Sequence, residues 1–431
     1  MASRSVSGTA NFAIGTTGLK NLGNTCYMNS VLQCMSGTVP LSRYFLDGSY
    51  KSHINRDNPL GSGGVLAEAF AGVIRNLWSG EYGFIAPQTM KVGGFYLGFL
   101  ANKLLSHIPQ EVSGRLNETF GSESQQDAQE FLAFLLDGLH EDLNQNAMRT
   151  KLNPLTEKDE RQRERLPQQI AAAREWQRYT HQNSSVAVEW LQGQLSSRLT
   201  CLTCRKTSTT YSPFMYLSLP IPVVSGTFTL QDCLNEFTKE EVLDGDDAWH
   251  CPDCKKPRRA TKKLTITRLP IILIIHLKRF TNNGPWRDKL NTPINFPLVH
   301  LELTKYVPPP LPPGVAGPVA LGSPNTTPPF IYDLYGTVNH YGTLHGGHYT
   351  SFVKNPYEGE WSCFDDSKAT KMDASQVVVS PFALDHSYSS FPNQRCGSHG
   401  MRMCCFGFGR VLCRVPILPT TLQWLFIVVV D

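Results

Sequence analysis

An α+β fold is expected from three features of the 431-residue sequence. Helix-period apolar patterns come early, first from Cys26 to Met35 and again in SQQDAQEFLAFLLDGLHEDL, Ser124 to Leu143. After Val186 the pattern changes to strand-like runs: QGQLSSRLTC, MYLSLPIPV and KKLTITRLPIILIIHLKRF. Two CxxC pairs, Cys201 with Cys204 and Cys251 with Cys254, sit inside that strand-rich part. Helices grouped early and strands grouped late describe an α+β chain.

Taken in order, residues 1–17 are rich in Ser, Gly and Thr and read as a flexible arm. Gly18 to Asn24 suit a turn, and Met28, Val31, Leu32 and Met35 then follow a helical period, which puts Cys26 at or near a helix N-terminus. In the second helix Phe131, Leu132, Leu135, Leu136, Leu139 and Leu143 mark one apolar face. Residues 156–183 are charged and Gln-rich and read as a solvated helical excursion. Residues 307–329 are rich in Pro and Gly and read as a loop. Strands resume at Phe330 and run through TSFVKN and WSCFDD.

Composition narrows the function classes. Hydrophobic residues make up 41% and charged residues 18%, which is globular rather than disordered. A net charge of +4 is small for this length and gives no reason to expect nucleic acid or an anionic membrane as the main partner. The first twenty residues lack the apolar core of a signal peptide, so the expected location is cytoplasmic, with endosomal or nuclear association as extensions. Val411 to Val430 is the one stretch of membrane-like hydropathy, and Arg414, Pro416, Pro419 and Gln423 interrupt it.

Chemistry concentrates at a few residues. A thiolate is the attacking form of cysteine, and a helix N-terminus or a nearby imidazole lowers the thiol pKa. A lone Cys on an apolar helix is more often a structural thiol, and Cys34 takes that reading. Cys26 differs because it follows a Gly/Asn turn that opens the start of the helix. A base is offered by His348 in NHYGTLHGGHYTSFVKN, where Gly346 and Gly347 permit close approach of another chain; His340 and His345 are alternatives. A carboxylate from Asp365 or Asp366 in EWSCFDD is expected to accept the Nδ1 proton of that histidine. Asn21 and Asn24 either donate to an oxyanion, together with the Cys26 backbone N–H, or only shape the turn; local sequence favours neither. The 12 cysteines are unevenly placed, and the two CxxC knuckles beside strands give four thiolates, the pattern of one structural Zn2+ site. Unmetallated thiols and a nucleic-acid zinc ribbon, which KKPRRATKK beside Cys254 permits, are the other readings of that pattern.

Several of these segments together resemble the ubiquitin-specific protease family. GLKNLGNTCYMNSVLQ looks like its Cys box, and SQQDAQEFLAFLLDGLHEDL like its Gln/Asp helix. ILIIHLKRF and YGTVNHYGTLHGGHYTSFVKN, with WSCFDD behind, look like its His box. The resemblance covers about residues 18–380 and is similar above all to members linked to endosomal sorting. It implies a papain-like thumb–palm–fingers fold, with the zinc ribbon of about residues 195–262 in the fingers. It implies a deubiquitinase that hydrolyses peptide or isopeptide bonds after the C-terminal glycine of ubiquitin, with ubiquitin and ubiquitinated proteins as partners. Cys26 then matches the nucleophile, His348 the base, Asp365 the third residue with Asp366 in support, and Asn21 the oxyanion donor. Gln125, Asp127 and Glu130 fall where family members contact the basic ubiquitin tail, and Gly346 and Gly347 line its channel. For Glu130 a solvated helix face is the competing reading.

Two stretches depart from the family pattern. The insert 92–113 is apolar where a short connection is expected, and the tail 382–431 replaces a short aromatic strand that completes the palm sheet. Both read as products of retained introns or a frame change, leaving 18–381 as the catalytic domain. On this reading the palm lacks an edge strand, which makes an inactive ubiquitin-binding or scaffold protein the alternative function.

Overall fold

The computed structural model describes residues 13–90, 120, 124–222, 226–283, 286–311, 328–343, 346–378 and 424–430. The insert 92–113, most of the Pro-rich loop and residues 382–423 of the tail lie outside them. The helical half is built around α1 (Cys26–Ser36), every residue of which is buried. Gly23 and Asn24 take positive φ, 95° and 51°, so the chain reverses sharply before the helix. The Thr25 hydroxyl accepts the Leu22 N–H at 2.8 Å and tightens that turn. On α1 pack α2 (Val39–Leu46) and a helix at Ala128–Asp142, called α4, and α3 (Val65–Leu77) packs against both of those.

Helix α4 begins four residues after the expected Ser124 because Asp127 caps it: its Oδ1 accepts from Gln129 N at 2.7 Å and from Glu130 N at 3.1 Å. Such a cap is worth about 1 kcal/mol. The expected apolar face is buried throughout, from Phe131 to Leu143. Phe131 meets Tyr27 of α1 edge-on, with ring centroids 5.6 Å apart.

A mixed sheet backs the helices. Its strands are β5 (Leu217–Leu219), β8 (Ile272–Leu277), β9 (Ile331–Thr343), β10 (Gly346–Lys354), β11 (Trp361–Asp365), β12 (Lys368–Met372) and β13 (Trp424–Val430). They lie in the order β12–β11–β10–β9–β13–β8–β5. The apolar run Ile272–Ile275 of β8 is explained by burial on both faces. Ile272 and Ile274 join the core shared with α1 and α4, while Leu273, Ile275 and Leu277 join a second core behind the sheet. The expectation of a palm lacking an edge strand is corrected here. Strand β13 lies inside the sheet, parallel to both β8 and β9, not at an edge. Its sequence, WLFIVVV, is aromatic and β-branched, as an interior strand requires.

The fingers are a four-stranded sheet in the order β4–β3–β7–β6, formed by β3 (Gly193–Cys201), β4 (Thr207–Phe214), β6 (Glu241–Leu243) and β7 (Ala260–Arg268). The charged stretch before them is helical as expected, as α5 (Glu157–Glu164) and α6 (Gln168–Thr180), but it is not simply solvated. Strand β4 is the sheet edge, and its open N–H groups need acceptors. The Glu164 carboxylate accepts from Thr209 N at 2.7 Å and from the hydroxyls of Thr207 and Thr209. Arg163 pairs with Glu175 at 3.0 Å and donates to the Thr209 carbonyl at 2.7 Å. No helix among the described residues is long and apolar enough to cross a membrane.

Candidate active site and metal centre

The start of α1 meets the paired strands β10 and β11 at one point. Cys26, the first residue of α1, is 4% exposed. His348 is the third residue of β10, and Asp365 is the last of β11. The imidazole Nε2 donates to Asp365 Oδ1 at 2.6 Å, and the Cys26 thiol lies near enough to the ring to act on its charge. The sequence reading gave Asp365 the Nδ1 proton; the structure corrects this to Nε2, leaving Nδ1 for Cys26. The reason is placement: the carboxylate reaches His348 from the adjacent strand β11, and the thiol reaches it from α1.

These partners hold the charged imidazole. The Asp365 hydrogen bond, then Cys26, raises the His348 pKa to about 10 against the penalty of partial burial. His348 in turn lowers the Asp365 carboxyl.

Asn21 and Asp366 form a second layer. The Asn21 Oδ1 accepts from Gly23 N at 3.0 Å and Thr25 N at 3.1 Å, which turns its amide nitrogen outward. That Nδ2 donates to Asp366 Oδ2 at 2.9 Å. The other carboxylate oxygen of Asp366 accepts from Asn29 Nδ2 at 2.7 Å. Asp366 sits at a positive φ of 49°, and its carbonyl accepts the Leu19 N–H at 2.8 Å. Thus Asn21 both shapes the turn and presents an amide, so the two sequence readings are compatible. Asn29 was missed; its position one helical turn after Cys26 is the only signal that could have found it.

The remaining expected residues divide. The Gln125 amide grips Gly347, donating to its carbonyl at 2.8 Å and accepting its N–H at 2.9 Å. Gly346 is exposed beside it. Asp127 caps α4 through its Oδ1, and Glu130 is exposed on the first turn of the same helix. Cys34 is buried, its Sγ 3.5 Å from the Thr337 carbonyl, and desolvation drives its pKa well up; it is structural, as read. His340 is buried away from Cys26 chemistry, and His345 lies outside the described residues.

The two knuckles converge at the fingertip. The four Sγ atoms of Cys201, Cys204, Cys251 and Cys254 lie within 4.8 Å of one another, with Cys204 and Cys251 3.5 Å apart. Each knuckle closes identically. Arg205 and Lys255, next after the second cysteine, take φ of 63° and 53°, and their N–H groups donate to the carbonyls of Cys201 and Cys251. Backbone N–H groups, first that of Cys204, lower the Cys201 thiol to about 6. Four converging thiols of this kind could hold one metal ion.

Comparison with known proteins agrees with this geometry. A family profile described as ubiquitin carboxyl-terminal hydrolase matches residues 17–390. Ubiquitin carboxyl-terminal hydrolase 4 of Vanderwaltozyma polyspora is 43% identical over 373 residues, covering 85% of this chain and 40% of the relative. Ubiquitin carboxyl-terminal hydrolase 2 of Homo sapiens is 38% identical over 389 residues, covering 89% of this chain and 56% of the relative. The chain therefore spans about half or less of the length of these curated relatives. Among solved structures, a SAGA DUB module of Ubp8, Sgf11, Sus1 and Sgf73 bound to monoubiquitin is similar at 26% identity and a TM-score of 0.58. That match covers 87% of this chain and 69% of that one.

Proposed function

The chain belongs to the ubiquitin carboxyl-terminal hydrolase family, with its α+β thumb–palm–fingers architecture, and on that premise we propose that it is a thiol-dependent deubiquitinase. The observation that carries the reading is the convergence of Cys26, His348 and Asp365 from three separate elements, with His348 hydrogen-bonded to Asp365 and beside Cys26. Its substrate is a peptide or isopeptide bond after the C-terminal glycine of ubiquitin. The Cys26 thiolate attacks the glycine carbonyl, and the oxyanion faces the Asn21 amide and the Cys26 backbone N–H. As the first helical residue, Cys26 has an N–H with no carbonyl partner within its own helix. Imidazolium His348 protonates the departing lysine amine, leaving a thioester on Cys26. Water then attacks, its proton taken by His348, and the thiolate leaves.

Asp365 keeps the imidazole oriented and charged, and Asp366 steadies Asn21. Gln125, Gly346 and Gly347 line the approach of the tail, with Asp127 and Glu130 supplying carboxylates for its arginines. Cys201, Cys204, Cys251 and Cys254 would hold Zn2+ at the fingertip. A tetrahedron with ~2.3 Å Zn–S bonds has edges of about 3.8 Å, close to the observed thiol spacing. When bound, the ion cross-links the two knuckles and takes no part in hydrolysis.

Reaction with ubiquitin bearing a C-terminal electrophile, wild type beside Cys26→Ala, tests the reading. A covalent adduct is expected in wild type alone; a folded wild-type chain that forms none refutes it.

A further inference from the structure

Lys289, at the end of the strand Trp286–Lys289, is only 9% exposed. Burying an ammonium group costs several kcal/mol unless its donors are satisfied, roughly the range for an ion moved into protein. Its Nζ donates to His340 Nδ1 at 2.8 Å, to the His340 carbonyl at 3.0 Å and to the Gly342 carbonyl at 3.4 Å. A ring that accepts at Nδ1 carries its proton on Nε2. Burial, then the Lys289 charge, pushes the His340 pKa down to about 4, so this imidazole stays neutral, and with its Nδ1 lone pair taken by Lys289 it is a poor proton acceptor. Tyr349, 4.6 Å from it between ring centroids, and Phe280, at 5.7 Å, hold it in place.

The His340 ring abuts Gly347. A Cβ on Gly347 would lie 2.1 Å from His340 Nε2. The same glycine has both backbone groups taken by the Gln125 amide. Gly347 immediately precedes His348, and the β9–β10 register sets His340 against Tyr349 and Tyr341 against His348.

We propose that Lys289 and His340 are positioning residues for His348. Lys289 fixes the His340 ring, and that ring together with Gln125 clamps Gly347, so that the catalytic imidazole meets Cys26 and Asp365 before substrate arrives. The inference rests on His348 serving as the base. The titratable groups near His348 are Cys26, Asp365, Asp366, His340, Tyr341 and Tyr349, with Lys289 behind His340.

The test is the rate at which iodoacetamide alkylates Cys26 in the full chain between pH 5 and 11, followed on the Cys26 peptide by mass spectrometry. Wild type, Lys289→Met, Lys289→Arg and His340→Asn are compared, alongside kcat and KM on a ubiquitin C-terminal fluorogenic amide. A misplacement of about 1 Å near chemistry can cost on the order of 100-fold. Lys289→Met is expected to lower both the neutral-pH alkylation rate and kcat by about tenfold or more, with KM within about twofold. Lys289→Arg should restore part of the rate. His340→Asn keeps an acceptor for Lys289 but loses the ring against Gly347, so it should match Lys289→Met. Folded variants with wild-type alkylation rates and kcat would overturn the proposal. If Lys289→Met shows no melting transition, His340→Asn decides. A wild type inert to the ubiquitin electrophile would sink the deubiquitinase reading, while the alkylation comparison would still decide the clamp.

Discussion

Replacing Asp366 by Asn isolates the tether on Asn21. The substitution is isosteric, and Asn tolerates the left-handed φ of 49° that Ala would strain. Asp366 now accepts two amide donors, Asn21 at 2.9 Å and Asn29 at 2.7 Å. An amide in its place offers one oxygen, so one donor loses its acceptor and the other bond loses its charge assistance. Hydrogen bonds to charged groups contribute roughly 1.5–3 kcal/mol and neutral ones about 0.5–1.5, so the hold on Asn21 weakens by about 1–2 kcal/mol. At about 1.36 kcal/mol per tenfold, kcat should fall roughly 5- to 30-fold if that loss appears in the transition state. The ceiling is Asn21→Ala, which removes the oxyanion donor itself and should cost on the order of 100- to 1,000-fold. The assay is steady-state cleavage of a ubiquitin C-terminal fluorogenic amide, with Tm measured in parallel. KM should stay within about twofold, because the oxyanion forms only in the transition state. If Asp366 acts through Asn21, the double variant should be no slower than Asn21→Ala alone. Losses that multiply in the double variant, or an unchanged kcat in Asp366→Asn, would refute the reasoning.

Further outcomes follow from the other contacts. The His348 pKa is raised, so the imidazolium that supports the thiolate persists as pH rises and is lost only through about 10. Inactivation by the ubiquitin electrophile should therefore have its alkaline limb near there, and Asp365→Asn should move it toward the ordinary imidazole value of about 6.5. The purified chain should contain one zinc by elemental analysis, and Cys251→Ser, at a fully buried ligand position, should lose it and raise KM far more than it lowers kcat. Phe131→Ala removes a ring packed against Tyr27 and Phe120 and should lower unfolding free energy by about 3–5 kcal/mol in urea titrations. Glu164→Gln should loosen α5 from β4, detected as faster amide exchange at Thr209.

What could be read in advance was local. The apolar period and the preceding Gly/Asn turn were enough to place Cys26 at a helix start, and the leucine face of α4 was legible for the same reason. The cysteine knuckles carried their own spacing. Contacts between distant segments were not legible without the family resemblance, which alone connected Cys26 to His348. Neither route showed that Asp366 binds Asn29, that Glu164 seals the edge of β4, or that Lys289 reaches His340. In each case a polar side chain with an ordinary surface reading finds its partner only after the sheet has brought remote strands together. The nitrogen of His348 that faces Asp365 depends on the approach direction of two elements, which no sequence pattern encodes. Strand β13 was misjudged because its period is that of any apolar run; its place depends on a gap between β8 and β9.

That gap has a kinetic consequence. Both neighbours of β13 are synthesised well before it, so a nascent chain emerging from the ribosome carries two parallel strands that cannot yet be joined. Until residues 424–430 arrive, β8 and β9 each present an unpaired ladder, the surface on which chains aggregate or recruit holding chaperones. Closure demands a contact of very long sequence separation, which slows the final folding step. Pairing across the gap therefore waits on residues 424–430, and the sheet closes only after its other strands have been made.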